Sequence, residues 1–357
     1  MFVNELLQRF AGVRLVKSRE LEALGANNYR RATLGFHKRA FDALRTIEER
    51  NGGSLTTGLK RRADEYAVSV LGHLDYAPWL YVYSIMQGTF QEGWMPDNFY
   101  HLKVVPRITK GLAELGSLKS FSNIVLRTDA LPDLGYYIDG HFYDRRFNII
   151  SRAEMVELAK SFGSVFIKDD GAGNGVGIAK IAATDLNDHC FVQDCVIQKP
   201  IRQHSYFDAM VQGSVATVRI TTAKGPDGAI SRRGATLRLG RSSKEWVQSA
   251  SQIQIAIVGD GELSPNGYMA DWRACRTHPD SGFVFEGNRI PHFDKALQLC
   301  LSMHAKLPHV PVIGWDLAVN SNDEIEIIEW NGGYSGIKFD EAISGPHYRD
   351  MGWERFA

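Results

Sequence analysis

The chain has 357 residues, which is enough for two or three packed units rather than one minimal domain. Hydrophobic residues make up 44% of it and charged residues 23%, as in an ordinary globular protein with ample material for a core. Its 41 basic and 41 acidic residues cancel, so no global basic field would attract nucleic acid, and we expect no nucleic-acid partner.

The cysteines and the N-terminus indicate the compartment. The four cysteines have no CxxC spacing, which argues against a zinc site or a disulfide framework and favours a reducing environment. Residues 1–20 are typical of an amphipathic helix with scattered charges rather than of a signal peptide. No window approaches the roughly 20 apolar residues of a membrane span. The sequence therefore predicts a cytoplasmic protein without a membrane span.

The first part of the chain has a helical pattern. Apolar residues recur at three- and four-residue steps up to Arg50, and Asn51-Gly52-Gly53 should end that helix. A second helical stretch is predicted over 63–87. Pro96 and Asp97 then predict a new helix running to about residue 115.

After residue 116 the pattern changes to short strands. Residues 138–141 (Ile-Asp-Gly-His) predict a hairpin turn, and Ser151 with Glu154 forms a capping box before a helix over 150–160. One further helix is predicted over 293–306. Helices first and sheets later indicate an α+β fold. We divide it into a helical N-terminal region (1–115), a central region (116–205) and a C-terminal region (206–357).

A glycine-rich loop lies between two strand-like segments in KDDGAGNGVGIAKI, residues 168–181. Glycines at alternate positions let backbone N–H groups turn towards an anion. The loop lacks the GK[ST] of a P-loop, and Val176 replaces the third glycine of the dinucleotide fingerprint. We therefore predict a flexible hairpin flap, entered by a strand that carries Lys168. A plain glycine-rich turn remains the alternative.

Oxygen ligands cluster near the end of the chain. In EIEIIEWN, strand alternation predicts that residues 325, 327, 329 and 331 share one face, which places Glu329 beside Asn331. The preceding strand, VPVIGWDLAV, carries Asp316. A connecting loop of two or four residues would bring Asp316 onto the same face. Such hard oxygen ligands suit Mg²⁺, with an isolated carboxylate as the alternative.

These motifs together resemble the ATP-grasp superfamily, and they follow its order along the chain. The resemblance covers roughly residues 95–345. The amino-acid sequence is most similar to that of the sugar-transfer-associated branch, at ATVRITT, TLRLGR, HPDSG, IPHF and IGWDLAV…EIIEWN. The elements in order are Lys168, the flap 171–177, VIQKPI (196–201), Arg219, Arg238, Asp316 and Glu329-x-Asn331 before GGYSG.

The resemblance implies two α+β subdomains that grip ATP. It implies that Lys168 contacts the α and β phosphates and that flap amides cover the β/γ end. Asp316, Glu329 and Asn331 would hold one or two Mg²⁺ ions, while Arg219 and Arg238 would act as catalytic cations on the transferring phosphoryl group. The remaining implied nucleotide contacts are Gly171, Gly173, Asn174 and Gly175 in the flap, Gln198 and Lys199 for adenine, and Asp208 for the ribose.

The sequence departs from the family pattern at two places. Many ligases of the superfamily carry an arginine two residues before the metal aspartate, and this chain has Gly314 there, so that cation must come from another strand. The second phosphate-binding lysine has no clean match. Lys119 and Arg127 are both candidates, and the sequence leaves the choice open.

The function that the resemblance implies is an ATP-dependent carboxylate–amine ligase. Its partners would be a small-molecule carboxylate and an amine, with an amide of a carboxylated sugar or a peptide-like product. A kinase acting on a hydroxyl and a non-catalytic nucleotide-binding protein are the alternatives. A kinase needs a general base, for which His204, His278 and His292 are candidates. The N-terminal helices could shape the acceptor site, form a homodimer face or dock on another protein.

Overall fold

The computed structural model describes residues 18–173 and 176–357. The amphipathic helix predicted within residues 1–20 falls largely outside this range. Asn174 and Gly175, both expected to contact nucleotide, also lie outside the described residues.

Three long helices open the described chain: α1 (Ser18–Arg50), α2 (Thr57–Ser69) and α3 (Ala77–Gln87). Helix α1 ends where the Asn-Gly-Gly sequence predicts. The stretch 63–87 is not one helix, because a turn containing Gly72, at φ +81°, separates α2 from α3. The Asn51 side chain donates to the Trp272 carbonyl oxygen at 2.8 Å, which ties the end of α1 to the C-terminal half of the chain.

The helix predicted over 97–115 is interrupted. It consists of α4 (Asp97–Phe99), a π-helical segment (Tyr100–Val104) and α5 (Val105–Thr109). It ends early because Lys110 and Gly111 both adopt positive φ values, 50° and 85°. Two 3₁₀ turns and a short helix follow: Leu112–Ser117, Lys119–Phe121 and α6 (Ser122–Leu126).

A first antiparallel sheet has the strand order β3-β2-β1-β6-β4-β5 in the described part of the chain. The predicted hairpin joins β1 to β2, with Asp139 and Gly140 at positive φ as a two-residue turn requires. Helix α7 (Arg152–Lys160) begins with the predicted capping box. The strands are β1 (Asp133–Ile138), β2 (His141–Asp144), β3 (Ile149–Ile150), β4 (Ser164–Asp169), β5 (Ile178–Ala182) and β6 (Cys195–Gln198).

A second antiparallel sheet has the order β11-β10-β9-β8-β7-β12-β13 among the described residues. Helices α8 (Ser205–Asp208), α9 (Phe293–Ala305) and α10 (Lys338–Ser344) accompany it. Its strands are β7 (Thr217–Lys224), β8 (Ile230–Leu239), β9 (Ile253–Val258), β10 (Glu262–Met269), β11 (Ala274–Cys275), β12 (Val312–Val319) and β13 (Ile325–Gly332).

The two sheets occupy separate stretches of chain, joined by residues 199–216. Helices α1 to α3 pack with α10 and the C-terminus in one hydrophobic core, while a second core lies between the second sheet and α9. A third core lies under the first sheet. The predicted α+β class with a helical N-terminal region is confirmed. No helix in the ranges that the structure describes is long and apolar enough to cross a membrane.

Candidate functional site

A cavity of about 700 Å³ lies between the two sheets. Its walls come from both sheets, from the 3₁₀ turns before α6, from the glycine turn 332–336 and from α10. We distinguish three parts of it. The lysine end is Lys119, Lys168 and the flap; the carboxylate end is Arg219, Arg238, Asp316, Glu329 and Asn331; the aromatic end is Gln252, Gln254, Met269, Trp272, Lys338 and Phe339.

The flap is a hairpin, as the glycine pattern predicts. Strands β4 and β5 pair antiparallel, and Lys168 is opposite Ile178 at the mouth of the loop. A Cβ atom on Gly171 or Gly173 would meet nothing within 4 Å, while the Gly171 N–H donates to the Ser117 carbonyl oxygen at 2.9 Å and anchors the base of the loop. The Lys168 side chain is 8% exposed and faces the cavity, and burial lowers the pKa of its amine.

Lys119 lies beside the flap and is the second lysine of the cavity. Its Nζ donates to the carbonyl oxygens of Asp169, at 3.0 Å, and of Ala172. The next residue, Ser120, binds the Asp170 carboxylate through its backbone N–H at 2.9 Å. Arg127, the other candidate from the sequence, is exposed and does not line the cavity. The structure therefore brings Lys119 to the site and leaves Arg127 outside it.

The segment after β6 forms one edge of the cavity. The Gln198 amide donates to the buried Asp133 carboxylate at 2.8 Å, and Lys199 lies 3.5 Å from Glu326. The backbone N–H of Lys199 donates to the Pro132 carbonyl oxygen at 3.0 Å. Gln198 and Lys199 both line the cavity as expected. Asp133 was missed by sequence reasoning, because it comes from a distant strand and carries no motif.

The prediction of a ribose contact by Asp208 is not supported. This residue is exposed on α8 and accepts a hydrogen bond from Gln203 at 2.9 Å, outside the cavity. Its helix packs beneath the second sheet, with Phe207 in the core, which directs Asp208 to solvent.

The carboxylate residues meet as predicted, although by a different route. Asp316 is directly opposite Glu329, and Gly314 is opposite Asn331. The loop between the paired residues Val319 and Ile325 contains five residues (320–324), not two or four. A loop of that length would put Asp316 in the wrong register. A β-bulge that leaves Ile328 unpaired shifts the register by one and restores the pairing.

The same bulge contradicts the predicted alternation of β13. Ile325 and Ile327 pack in the core of the second sheet, whereas Glu329 and Asn331 line the cavity. These four residues therefore do not share one face. The extra residue, Ile328, turns the end of the strand so that its polar side chains face the opposite way.

Two arginines from neighbouring strands surround Asp316. Arg219 donates to both Asp316 carboxylate oxygens, at 2.5 and 2.6 Å, and to the Ser335 carbonyl oxygen at 2.8 Å. The Arg238 guanidinium lies 3.6 Å from the same carboxylate. A Cβ atom on Gly314 would lie 2.9 Å from an Arg219 nitrogen. Gly314 thus leaves the space that Arg219 fills from the neighbouring strand, and the expected cation does come from another strand.

The charged groups of this cluster alter one another's pKa values. Burial alone would raise the pKa of Asp316, but the positive charges of Arg219 and Arg238 outweigh it and lower the pKa to about 2. Burial and the neighbouring Asp316 charge together raise the pKa of Glu329. Burial, followed by repulsion from Arg219, lowers the pKa of Arg238 to about 10. A second carboxylate beside Asp316 therefore carries an electrostatic cost that an added cation would remove.

The residues present fit a divalent cation. Asp316 lies directly opposite Glu329 on the paired strands, and the Asn331 amide is 3.4 Å from the Glu329 carboxylate. Two carboxylates and a carboxamide are hard oxygen donors of the kind that Mg²⁺ selects. Across the described residues, the buried Nε of Arg238 has no hydrogen-bond partner, so this cluster also offers a donor to an anion.

The N-terminal region holds the glycine turn in place. The Tyr100 hydroxyl, on the π-helical segment, donates to the Gly333 carbonyl oxygen at 2.7 Å. The His101 ring stacks on Tyr334 with 5.4 Å between centroids, and Phe36 of α1 lies 5.6 Å from the other side of His101. Of the three roles open for the N-terminal helices, this packing supports the first, a contribution to the shape of the site. π-Helical segments are frequent at functional sites.

The aromatic end was missed at the sequence level. Its residues come from β9, from the end of β10, from the following loop and from α10, so no local pattern joins them. Trp272 and Phe339 lie 6.1 Å apart, centroid to centroid, and Trp272 contacts Trp79 of α3 at the same distance.

The three candidate bases lie outside the cavity. His204 and His292 both contact the Asp323 carboxylate, at 3.2 and 3.3 Å, near the β12–β13 loop. His278 is fully buried and pairs with the Gly240 carbonyl oxygen at 3.0 Å. No histidine in the described ranges lines the cavity. The loop 278–293, which contains two of these histidines, also contributes nothing to the lining of the cavity.

Part of the chain matches a known protein family. Residues 178–345, just under half of the chain, match the family described as sugar-transfer associated ATP-grasp. No curated protein matches the chain.

Solved structures give more distant similarities. N5-carboxyaminoimidazole ribonucleotide synthetase from Thermotoga maritima is 13% identical, with 70% of this chain and 55% of that chain covered, at a TM-score of 0.39. The biotin carboxylase domain of the Hydrogenobacter thermophilus 2-oxoglutarate carboxylase is 13% identical, with 79% and 57% covered, at a TM-score of 0.42.

The chain thus spans only about half the length of these structures. The family match extends over the second flap strand and the whole second sheet, including Arg219, Arg238, Asp316, Glu329 and Asn331. The predicted ATP-grasp resemblance is therefore confirmed, and within that superfamily residues 178–345 match the sugar-transfer associated family.

Proposed function

We propose that this protein is an ATP-dependent carboxylate–amine ligase that works through an acyl phosphate. One observation carries the proposal. The buried Asp316 and the half-buried Glu329 stand with two arginines at one end of a cavity whose other end has two lysines under a glycine flap. Burial of so many charges is costly unless a charged ligand completes the site.

ATP would lie in this cavity in the orientation that the family resemblance implies. The edge formed by Gln198 and Lys199 would receive the adenine, with Phe166 and Ile328 as apolar walls. Lys168 would contact the phosphates from the flap strand, as the family resemblance implies. Lys119 is placed to assist, since its amine already binds carbonyl groups at the base of the flap.

A divalent cation would be held by Asp316, Glu329 and Asn331. One or two Mg²⁺ ions there would supply positive charge to the phosphate oxygens. Arg219 would add charge at the same point without leaving Asp316, because its position is fixed by three hydrogen bonds. Arg238 retains an unpaired Nε for the transferring phosphoryl group.

The proposed reaction has two steps. A carboxylate oxygen of the substrate attacks the γ-phosphorus of ATP, the bond from that phosphorus to the bridging oxygen breaks, and ADP leaves. The amine then attacks the acyl carbon, phosphate leaves and the amine loses a proton. Arg219 and Arg238 offset the negative charge of the first step, and a closed flap excludes water that would hydrolyse the acyl phosphate.

The identity of the two substrates is also part of this proposal. By the family description, a carboxylated sugar or a similar small acid is the favoured carboxylate, and an amino acid or amine is the acceptor. A peptide-like product is the second possibility within this chemistry. Phosphotransfer to a hydroxyl remains the alternative, and the three histidines considered as its general base lie outside the lining.

Trapping with hydroxylamine tests this proposal. The protein is incubated with Mg-ATP, hydroxylamine and a panel of uronic and amino acids, while ADP and hydroxamate are measured together. We expect both products with at least one acid and neither with Glu329→Gln. ADP formation with phosphate on an acceptor hydroxyl would show a kinase instead. Nucleotide binding without turnover on any acid would contradict the ligase proposal.

A further inference from the structure

The aromatic end of the cavity lies beyond the reacting groups. Arg238 on β8 is paired with Gln254 on β9, which is the next strand towards Met269 on β10. Each strand step adds about 4.8 Å. A ligand whose reacting carboxyl lies at Arg238 therefore has about 5 to 10 Å of cavity left for the rest of its structure.

Lys338 is a cation in this part of the cavity that no carboxylate of the described residues contacts, although the buried Asp97 carboxylate interacts with its charge from a longer distance. Arg219 and Arg238 contact Asp316, and Lys199 contacts Glu326. Among the described residues, Lys338 has no hydrogen bond and no ion pair, and its Nζ lies 5.3 Å from the centre of the Trp79 ring. The carboxylates of the cavity wall lie elsewhere, at the carboxylate end and near the flap (Asp316, Glu329, Glu114, Glu245).

The surrounding polar groups are also free to bind a ligand. The side-chain amides of Gln252 and Gln254 have no hydrogen-bond partner within the ranges that the structure describes, although Gln252 is only 8% exposed. Each amide offers both donors and an acceptor, as hydroxyl groups require. Trp272 and Phe339 form an apolar wall beside them. This combination suits a polar, hydroxylated body with a charged terminus.

We propose that Lys338 binds a second anionic group of the acid substrate, separate from the carboxyl that is activated. Gln252 and Gln254 hydrogen-bond the hydroxylated body between the two anions. This inference rests on the proposed ligase function and narrows its substrate to polyhydroxy acids with a carboxylate or a phosphate at the far end. A cation that has no direct ion pair and lies beside aromatic side chains is stabilised when the ligand supplies a negative charge in contact with it.

Calorimetric titration of the full chain tests the inference. The protein is saturated with Mg²⁺ and a non-hydrolysable ATP analogue, and then titrated with gluconate, glucarate and 6-phosphogluconate. These acids share a six-carbon body and differ in the far group, which is neutral, a carboxylate or a phosphate. We expect at least one dianion to bind about 10-fold more tightly than gluconate. The better dianion identifies the far group.

The variants assign the effect to Lys338. Lys338→Met should reduce the affinity for that dianion to the level of gluconate, and Lys338→Arg should retain it. Lys295→Met, on the exposed face of α9, is the matched control and should change nothing. Unchanged binding of the ATP analogue by Lys338→Met shows that the variant is folded.

The outcomes separate the two proposals. Equal affinity for the three acids, an unchanged dianion affinity in Lys338→Met, or no acid binding by protein that binds nucleotide would each overturn the role of Lys338. Failure to bind the ATP analogue at all would instead refute the ligase proposal on which it rests.

Discussion

The carboxylate end and the aromatic end of the cavity are built on opposite principles. At the carboxylate end every charge has a charged neighbour: Arg219 holds both oxygens of Asp316, Arg238 lies 3.6 Å away and Glu329 is directly opposite. At the aromatic end Lys338 has no ion pair among the described residues; it lies over the Trp79 ring, and the Asp97 carboxylate interacts with it only from a longer distance.

The difference in charge pairing suits the two roles that the proposed function gives to the two ends, which are catalysis at the carboxylate end and substrate recognition at the aromatic end. Groups that must stabilise a transition state are held rigidly before the substrate arrives, so their charges are paired and their positions fixed. Groups that recognise a substrate remain unpaired until it binds. Under the proposed function, the carboxylate end would carry out the chemistry and the aromatic end would select the substrate.

Removal of one carboxylate should give the largest effect. We expect Glu329→Gln to lower turnover by about 10³-fold or more, because the cation site loses one of its two carboxylates. ADP release with saturating Mg-ATP measures it. Glu262→Gln, which affects an exposed pair with Arg289, is the control and should retain full activity. Retention of activity by Glu329→Gln would mean that the chemistry occurs elsewhere.

The sequence predicts the carboxylate end better than the aromatic end. Asp316, Glu329 and Asn331 lie on two consecutive strands, so a local pattern was enough to bring them together. The predicted loop of two or four residues was wrong. The observed loop has five residues, and a bulge at Ile328 corrects the register; strand alternation alone does not predict such a bulge, because it depends on the packing of β13. The strand alternation was correct only on each side of that bulge.

Residues that meet through tertiary packing were not predictable in this way. Lys119 reaches the cavity because its 3₁₀ turn follows a segment packed on β13, where a Cβ atom on Gly116 would lie 2.6 Å from the Trp330 carbonyl oxygen. The aromatic end combines separate segments of the second half of the chain and contacts α3 of the first. A helix from residue 97 to about residue 115 was predicted, whereas it ends at Thr109, and its π-helical contact with the glycine turn was not predicted.

A methyl group at Gly314 should give an intermediate effect. In Gly314→Ala the new Cβ would lie 2.9 Å from an Arg219 nitrogen and 3.2 Å from Ser335. Arg219 must then move, although Asp316 and the nucleotide groups keep their positions. We expect turnover to fall by about 10- to 100-fold, because a displacement of about 1 Å at a reacting group has that cost.

Nucleotide affinity distinguishes this effect from misfolding. The dissociation constant of Mg-ATP in Gly314→Ala should remain within about 3-fold of the original, since binding at the flap does not depend on Arg219. Gly58→Ala is the matched control, because its Cβ would meet only Thr56, at 3.9 Å. Equal losses of turnover and nucleotide binding in Gly314→Ala would contradict the role of Gly314 as the space for Arg219.

The smallest expected effect comes from the contact between the N-terminal region and the glycine turn. Tyr100→Phe removes the hydroxyl that donates to the Gly333 carbonyl oxygen at 2.7 Å, in a fully buried position. Loss of a buried hydrogen bond should lower the free energy of unfolding by about 1 to 3 kcal/mol, measured by urea denaturation. Turnover should fall only about 2- to 5-fold, because the reacting groups stay in place and only the turn loosens.

Tyr143→Phe is the control, because the Tyr143 hydroxyl has no partner among the described residues. Its free energy of unfolding should stay within about 0.5 kcal/mol of the original value. If Tyr100→Phe left stability unchanged and yet abolished turnover, Tyr100 would act in the chemistry itself, and the division between the two ends would have to be redrawn to include the N-terminal helices.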